Sequence, residues 1–284
     1  GSELDAWQPE AVFAVKRGAD SADAFKAAIA CPSVRWLHVG GVGYDHLGPW
    51  DGDRVVVTNS AGVLAPFHAE TVVGAIFALN LNFAAYFAQK QQRVWQERGF
   101  TSLAGKSLLI VGLGRIGKCV AALATKVGMK VGAVTRTPQR HDGIERIDAI
   151  TRLNDIVPEA DFISLHVPLN AETHRLIGAK TFRAMKPEAM FLNTSRGGVV
   201  DQAALVAALQ SKQIAAAYLD VFEEEPLPAT HPFWSLENVI ITPHMADSVP
   251  DWPQRFALLF SDNLERRLSA KPLLNLLDAG TPTR

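Results

Sequence analysis

Four ionisable residues stand directly behind apolar runs that read as strands. "FLNTSRGG" puts Arg196 just past one run, and "YLDVFEEEPLP" puts Asp220 at the end of the next with Glu225 shortly after. "VIITPH" puts His244 immediately past the last. In an open α/β sheet, ligands bind beyond the carboxyl ends of the strands. A guanidinium, a carboxylate and an imidazole therefore converge on one sheet edge. That set suits reduction of a 2-keto acid. As a hydride reaches the keto carbon, negative charge develops on the oxygen and must be protonated. A protonated His244 supplies the proton, and a Glu225 paired with it favours the charged ring and fixes its orientation. Arg196 binds the substrate carboxylate and polarises the carbonyl. Taken singly, each residue reads as an ordinary solvated or structural group; the joint placement carries the argument. The remaining histidines (His38, His46, His68, His141, His166, His174 and His231) lack such a pattern and are read as structural or surface groups. No metal-ligand spacing of the HExxH kind is present, so no metal is expected.

A second constellation says where the hydride comes from. "VGLGRIG" carries GxGxxG at Gly112, Gly114 and Gly117. The motif alone is weak, but here an apolar run ends at its first glycine and a helical pattern opens at its third. Gly112 permits the turn, Gly114 lets a pyrophosphate approach, and Gly117 lets helix and strand pack closely. The phosphates would sit at the helix N-terminus. The next strand ends in "VTRTPQR", where an acid would accept hydrogen bonds from an adenosine ribose. Here Thr135, Arg136 and Thr137 stand instead. Arg136 offers a charge-assisted fork to a 2′-phosphate, the threonines offer hydroxyls, and Arg140 is a second cation. The expected cofactor is NADP, with NADPH preferred over NADH.

These residues need a scaffold. With 284 residues, 48% hydrophobic and 20% charged, at a net charge of −1, the chain has the composition of an ordinary globular enzyme. Such a balance offers no attraction to nucleic acid or an anionic membrane, and neither is an expected partner. Cys31 and Cys119 match no CxxC or zinc spacing, and no signal-peptide pattern is visible. A reducing, cytoplasmic compartment is expected. "VFAV" (12–15), "VRWLHV" (34–39) and "VVVTN" (55–59) read as strands of an N-terminal α/β unit. A single helical stretch is expected from about Ala69 to Trp95, buried against protein although long and apolar. From Lys106 a second α/β series begins: "SLLIVG", "KVGAVT", "DFISLHV", "AMFLN", "AAAYLDV" and "VIIT". Near-continuous apolar strands of this kind belong to a parallel sheet covered on both faces. The end of the chain reads mainly as a helix, "PQRFALLFSDNLERRL".

"LAGKSLLIVGLGRIGK", "HVPLNAETHRLIG", "MKPEAMFLNTSRGGVVDQAALVAAL", "YLDVFEEEPLP" and "NVIITPHMA" together resemble the signature blocks of the D-isomer-specific 2-hydroxyacid dehydrogenases. The likeness is strong from about Leu103 to Ala246 and looser over 34–100. It implies an α/β protein with a Rossmann doubly wound parallel sheet and a smaller flavodoxin-like substrate domain. On this chain that gives residues 1–65 to the substrate domain and 66–246 to the cofactor domain with a dimerisation helix. Residues 247–284 form a helix returning to the substrate domain. The resemblance implies Arg196, Glu225 and His244 as the catalytic Arg, Glu and His. Asp220 would anchor the nicotinamide carboxamide, and the backbone of Val42 and Gly43 in "GGVGYD" would hold the substrate carboxylate. Arg115, Ile116, Val167, Pro168, Thr173, Thr194 and Ser195 fall in the blocks that surround the dinucleotide. A homodimer is implied through the helix near 70–95.

One departure stands out. The family places another strand–helix–strand before the run matching "AVFAV", and this sequence lacks it, so the substrate domain is expected without its first strands. Val12–Val15 would then be an exposed sheet edge, and Lys16 and Arg17 read as a solvated loop, with selection of an anionic substrate at the pocket mouth as the alternative. The leading function is reduction of a small 2-keto acid such as glyoxylate or hydroxypyruvate to the D-2-hydroxy acid. The alternatives are a dinucleotide-sensing corepressor-like scaffold and a pseudoenzyme that binds cofactor without turnover.

Overall fold

Short blocks of Val, Ile, Leu and Phe, each only three to six residues long, dictate the architecture, because chain so apolar and so brief is stable only as strand buried on both faces. The computed structural model describes residues 2–15 and 21–279, so Lys16 and Arg17 lie outside the described residues. The chain divides into two compact units, residues 1–64 with 248–284, and residues 65–247.

The smaller unit begins with α1 (Ser2–Trp7), β1 (Ala11–Val15), α2 (Ser21–Ala30), β2 (Trp36–Gly40) and β3 (Val56–Asn59). Its strands pair in parallel in the order β1-β2-β3. β2 is buried throughout, whereas β1, at the edge, is half-buried at every residue. A polar cluster crosses the sheet. Trp36 Nε1 donates to Thr58 Oγ1 at 2.9 Å, His38 Nδ1 meets the same oxygen at 2.7 Å, and His38 Nε2 meets Ser60 Oγ at 3.1 Å. Burial pushes the His38 pKa down to about 4.

The larger unit runs α3 (Ala65–Asn80), α4 (Phe83–Gln92), β4 (Ser107–Val111), α5 (Arg115–Lys126), β5 (Lys130–Thr135), β6 (Arg146–Ala149), α6 (Leu153–Ile156), β7 (Phe162–Leu165), α7 (Ala179–Ala184), β8 (Met190–Asn193), α8 (Gln202–Gln210), β9 (Ala216–Leu219) and β10 (Val239–Ile241). The closing helix α9 (Trp252–Leu268) belongs to the smaller unit, where Phe260 stacks on Phe13 and Trp36 at 5.3 and 4.9 Å. The large sheet has the order β10-β9-β8-β7-β4-β5-β6, with every pair parallel. This is the doubly wound Rossmann arrangement, and its strand order reverses between β4 and β7.

Two elements differ from the sequence reading. The single helix expected over 69–95 is two helices, bent by 57° at the break between them. Asn82 is the cause: it adopts left-handed backbone at φ 58°, which asparagine tolerates better than most residues. Its side-chain amide reaches Gly99 O at 3.1 Å, while that of Asn80 reaches Thr101 O at 2.8 Å. Among the described residues no single helix is long and apolar enough to cross a membrane; only this bent pair reaches that length together. The other difference is β6, "RIDA", which sequence periodicity does not show. It is an edge strand with Arg146 and Asp148 paired to each other, and charge of that kind guards an edge.

Candidate active site

The first turn of the large unit is shaped for an anion. Gly112 ends β4 at φ +98°, and a Cβ there would sit 2.6 Å from the His166 carbonyl. A Cβ on Gly117 would collide with the Gly112 carbonyl, so this glycine lets α5 settle onto the strand. Gly114 is different. It precedes α5, gives the helix no side-chain cap, and has nothing within 4 Å of where its Cβ would lie. No protein atom requires a glycine there, whereas a pyrophosphate lying on the helix N-terminus does. The fit to a dinucleotide rests on that open space. Arg115 is exposed and Ile116 half-buried at the same turn. At the end of β5, Thr137 N donates to Thr135 Oγ1 at 3.3 Å, and Arg136 is exposed beside them. Arg140 lines a cavity of about 430 Å3 with Pro138, Gln139, His141 and Glu145. Val167 is buried, Pro168 is exposed, and Thr173 Oγ1 closes the loop between them by donating to Pro168 O at 2.6 Å.

The opposite half of the sheet edge holds the ionisable set. His244 Nδ1 lies 2.8 Å from Glu225 Oε2, and the other Glu225 oxygen accepts Phe222 N–H at 2.9 Å. Burial alone would raise the Glu225 carboxyl. The His244 hydrogen bond, the Phe222 N–H and the charges of His244 and Arg196 outweigh it and hold the pKa below the usual carboxylate range. An ionised carboxylate only accepts, so Nδ1 carries the hydrogen and Nε2 is the nitrogen left for chemistry. Arg196 Nη1 donates to Ser195 O at 2.8 Å, while Asn193 braces the loop through the Arg196 carbonyl and the Ser195 N–H and hydroxyl. Gly197 brings the two loops together. A Cβ at this residue would fall inside the Phe222–Glu223 peptide, so the backbone after β8 lies directly against the backbone after β9.

Asp220 is buried and organises the segment that carries His244. Its Oδ1 accepts Thr242 Oγ1 at 2.5 Å and Met245 N–H at 2.8 Å, and its Oδ2 accepts Ala246 N–H at 3.0 Å. The His244 N–H reaches the Asp220 carbonyl at 2.8 Å. Thr71 of α3 donates to Ala246 O at 2.8 Å and closes the far side. His244 itself sits at φ +51°, a strained backbone for a non-glycine residue that these bonds sustain. Sequence reasoning supplied Asp220 only as a cofactor ligand; its work in the turn had no visible signal. Burial, with the Asp220 charge adding to it and the hydrogen bond to Thr242 opposing it, pushes the Tyr218 pKa up to about 12.

The structure thus brings Arg196, Glu225, His244 and Asp220 to one edge, with Thr194 and Ser195 buried beside them on the β8 loop. Val42 and Gly43 lie in the smaller unit on the loop after β2, where Asn59 Nδ2 holds the Val42 carbonyl at 2.8 Å. One histidine read from the sequence as structural or surface stands apart. His68 of α3 is 7% exposed, and neither ring nitrogen makes a well-formed hydrogen bond.

A glycine turn open to a pyrophosphate and an Arg–Glu–His set, on one doubly wound sheet, define a nicotinamide-dinucleotide oxidoreductase. The family description that matches residues 73–246 is D-isomer specific 2-hydroxyacid dehydrogenase, NAD binding domain. The chain is 35% identical to a glyoxylate reductase of Korarchaeum cryptofilum, over 92% of this chain and 85% of that relative. It is 36% identical to a glyoxylate/hydroxypyruvate reductase B of Citrobacter koseri, over 84% and 76%. A crystal structure of an NADPH-dependent glyoxylate/hydroxypyruvate reductase from Sinorhizobium meliloti, in complex with NADP and sulfate, superposes with a TM-score of 0.83 at 26% identity, covering 94% and 84% of the two chains. The protein belongs to the D-isomer specific 2-hydroxyacid dehydrogenases. It is an enzyme of that family, and the scaffold and pseudoenzyme readings are not favoured.

Proposed function

We propose that this protein reduces glyoxylate, hydroxypyruvate or a similarly small 2-keto acid to the D-2-hydroxy acid, using NADPH in preference to NADH. The observation that carries the reading is the 2.8 Å pair between His244 Nδ1 and Glu225, set on the loop segment next to Arg196. The bound dinucleotide supplies the hydride. His244 Nε2 delivers a proton to the substrate oxygen, and Glu225 holds the ring and balances its charge. Arg196 binds the substrate carboxylate and stabilises charge developing on the oxygen. The smaller unit acts as the substrate domain, with the Val42 and Gly43 N–H groups as further carboxylate donors.

NADPH preference rests on Arg136 and Arg140 in place of an acid after β5, with Thr135 and Thr137 as hydroxyl partners. A homodimer fits the exposed aromatic surface of α3, α4 and the following segment, where Phe83, Phe87, Trp95 and Phe100 all face outward. A reducing compartment such as the cytoplasm suits Cys31 and Cys119, which form no disulfide. The test is loss of reduced-nicotinamide absorbance with glyoxylate and with hydroxypyruvate, for NADPH and NADH side by side. Faster NADPH oxidation, lost in Arg136→Asp while NADH turnover survives, supports the reading. Equal rates or an NADH preference sinks the cofactor claim, and no turnover with either acid sinks the substrate claim.

A further inference from the structure

Among the described residues His38 and His68 are buried and His46 and His166 half-buried, and three of the four have partners. His38 is bonded at both nitrogens inside the smaller sheet, and His166 Nε2 meets Ser164 Oγ at 2.9 Å. Burial, with the His68 charge adding to it, pushes the His166 pKa down to about 3. His46 packs edge-on against Phe25 with ring centroids 4.5 Å apart. His68 is the exception. It lies in the first turn of α3, edge-on to His166 at 6.2 Å, with both ring nitrogens buried and neither in a well-formed hydrogen bond. A second orphan lies nearby: Thr194 is 4% exposed and its hydroxyl has no partner either. The Thr194 backbone lies close enough for a weak hydrogen bond with one ring nitrogen, which raises the pKa and leaves the other nitrogen free for a ligand. Asp247, Asp220 and His244 also bear on it electrostatically, so this ring shares a neighbourhood with the ionisable set at the ends of β9 and β10. Burial, the largest influence, keeps its pKa below the ordinary value.

Buried polar atoms without partners are rare in folded proteins because their desolvation is uncompensated. Here His68 Nδ1, His68 Nε2 and Thr194 Oγ1 bring three such atoms together. A neutral imidazole offers one donor and one acceptor, and a hydroxyl offers both. A dinucleotide lying across the point where the strand order reverses carries its adenosine toward β5 and its nicotinamide toward β8–β10. At the nicotinamide end the group that presents both N–H and C=O is the primary carboxamide. Asp220, the carboxylate expected to take it, already accepts three hydrogen bonds from the His244 segment, out of about four acceptor sites.

We propose that His68, with the Thr194 hydroxyl, is a cofactor-binding residue that holds the nicotinamide carboxamide. The proposal rests on the dinucleotide reading of the site and adds a ligand to it. Each dinucleotide is therefore compared with its counterpart lacking nicotinamide: NADP+ with 2′-phospho-ADP-ribose, and NAD+ with ADP-ribose, by titration calorimetry on the full chain. In His68→Leu the dinucleotide binds about tenfold more weakly, the worth of one to two hydrogen bonds, while the counterpart binds unchanged. His68→Gln, which restores a donor and an acceptor, recovers most of the loss. Equal loss for dinucleotide and counterpart makes His68 a structural residue or a ribose ligand and overturns the proposal. So does no loss at all. If His68→Leu does not fold, the imidazole 15N resonances of His68 in the unaltered protein decide. They shift on adding the dinucleotide and stay still with the counterpart, or the proposal fails. If the unaltered protein binds neither compound, the dinucleotide reading itself falls.

Discussion

The two ends of the large sheet's carboxyl edge are built in opposite ways. At the β9–β10 end, Asp220, Thr242, Met245, Ala246 and Thr71 interlock, and Glu225 is fixed from both sides by Phe222 N–H and His244. At the β5 end, the turn is held by Thr135–Thr137 contacts of 3.3 and 3.5 Å, and residues 136–140 are all exposed. Proton transfer tolerates little error in distance and angle, so a proton donor needs a rigid mount. Recognition of a phosphate by charge is forgiving, so long flexible side chains on an open turn suffice. On the proposed function, one sheet would carry a rigid chemical end and a compliant end that selects the cofactor.

The largest test of that contrast is His244→Ala. It is expected to lower kcat by about 10^2- to 10^4-fold while dinucleotide affinity holds; single-turnover rates beside calorimetry measure both. Asp220→Ala comes next. It strips the acceptor from two N–H groups and a hydroxyl, and should lower unfolding free energy by about 2–3 kcal/mol in urea melts as well as reducing kcat. Arg136→Asp, at the compliant end, should leave the same melt within about 0.5 kcal/mol and weaken NADPH binding by about 10- to 100-fold. If Arg136→Asp unfolds the protein, or Asp220→Ala does not disturb it, the contrast is wrong. The smallest effect concerns acid. The folded Glu225 carboxyl titrates below its ordinary value of 4.5, so near that pH the unfolded chain holds more protons than the folded one. Its contribution to stability is full above pH 4.5 and is lost as pH falls through the folded value. Glu225→Gln should flatten that part of the stability–pH curve slightly, since the pair is partly exposed.

The rigid end was also the more legible in sequence. Arg196, Asp220, Glu225 and His244 each follow an apolar run, and parallel strands of a doubly wound sheet end on one edge by topology. What the residues do to one another was less visible. Asp220 could be placed but not its three bonds to the His244 segment, because they depend on the backbone path after β10. His68 gave no signal, since an imidazole in a helical pattern reads the same whether its nitrogens find partners or not. The break at Asn82 was obscured by apolar residues on both sides that suit one helix or two. β6 escaped because an edge strand bearing Arg146 and Asp148 has no apolar alternation to read.

Gly197 has a practical consequence for redesign. The spacing between the Arg196 loop and the Glu225 loop is a backbone-to-backbone distance, not a product of side-chain packing. Selectivity can then be retuned by exchanging side chains around the pocket without resetting the catalytic spacing. The same contact makes residue 197 intolerant of even one added methyl group. A library that diversifies this region should keep that position constant and spend its variation elsewhere.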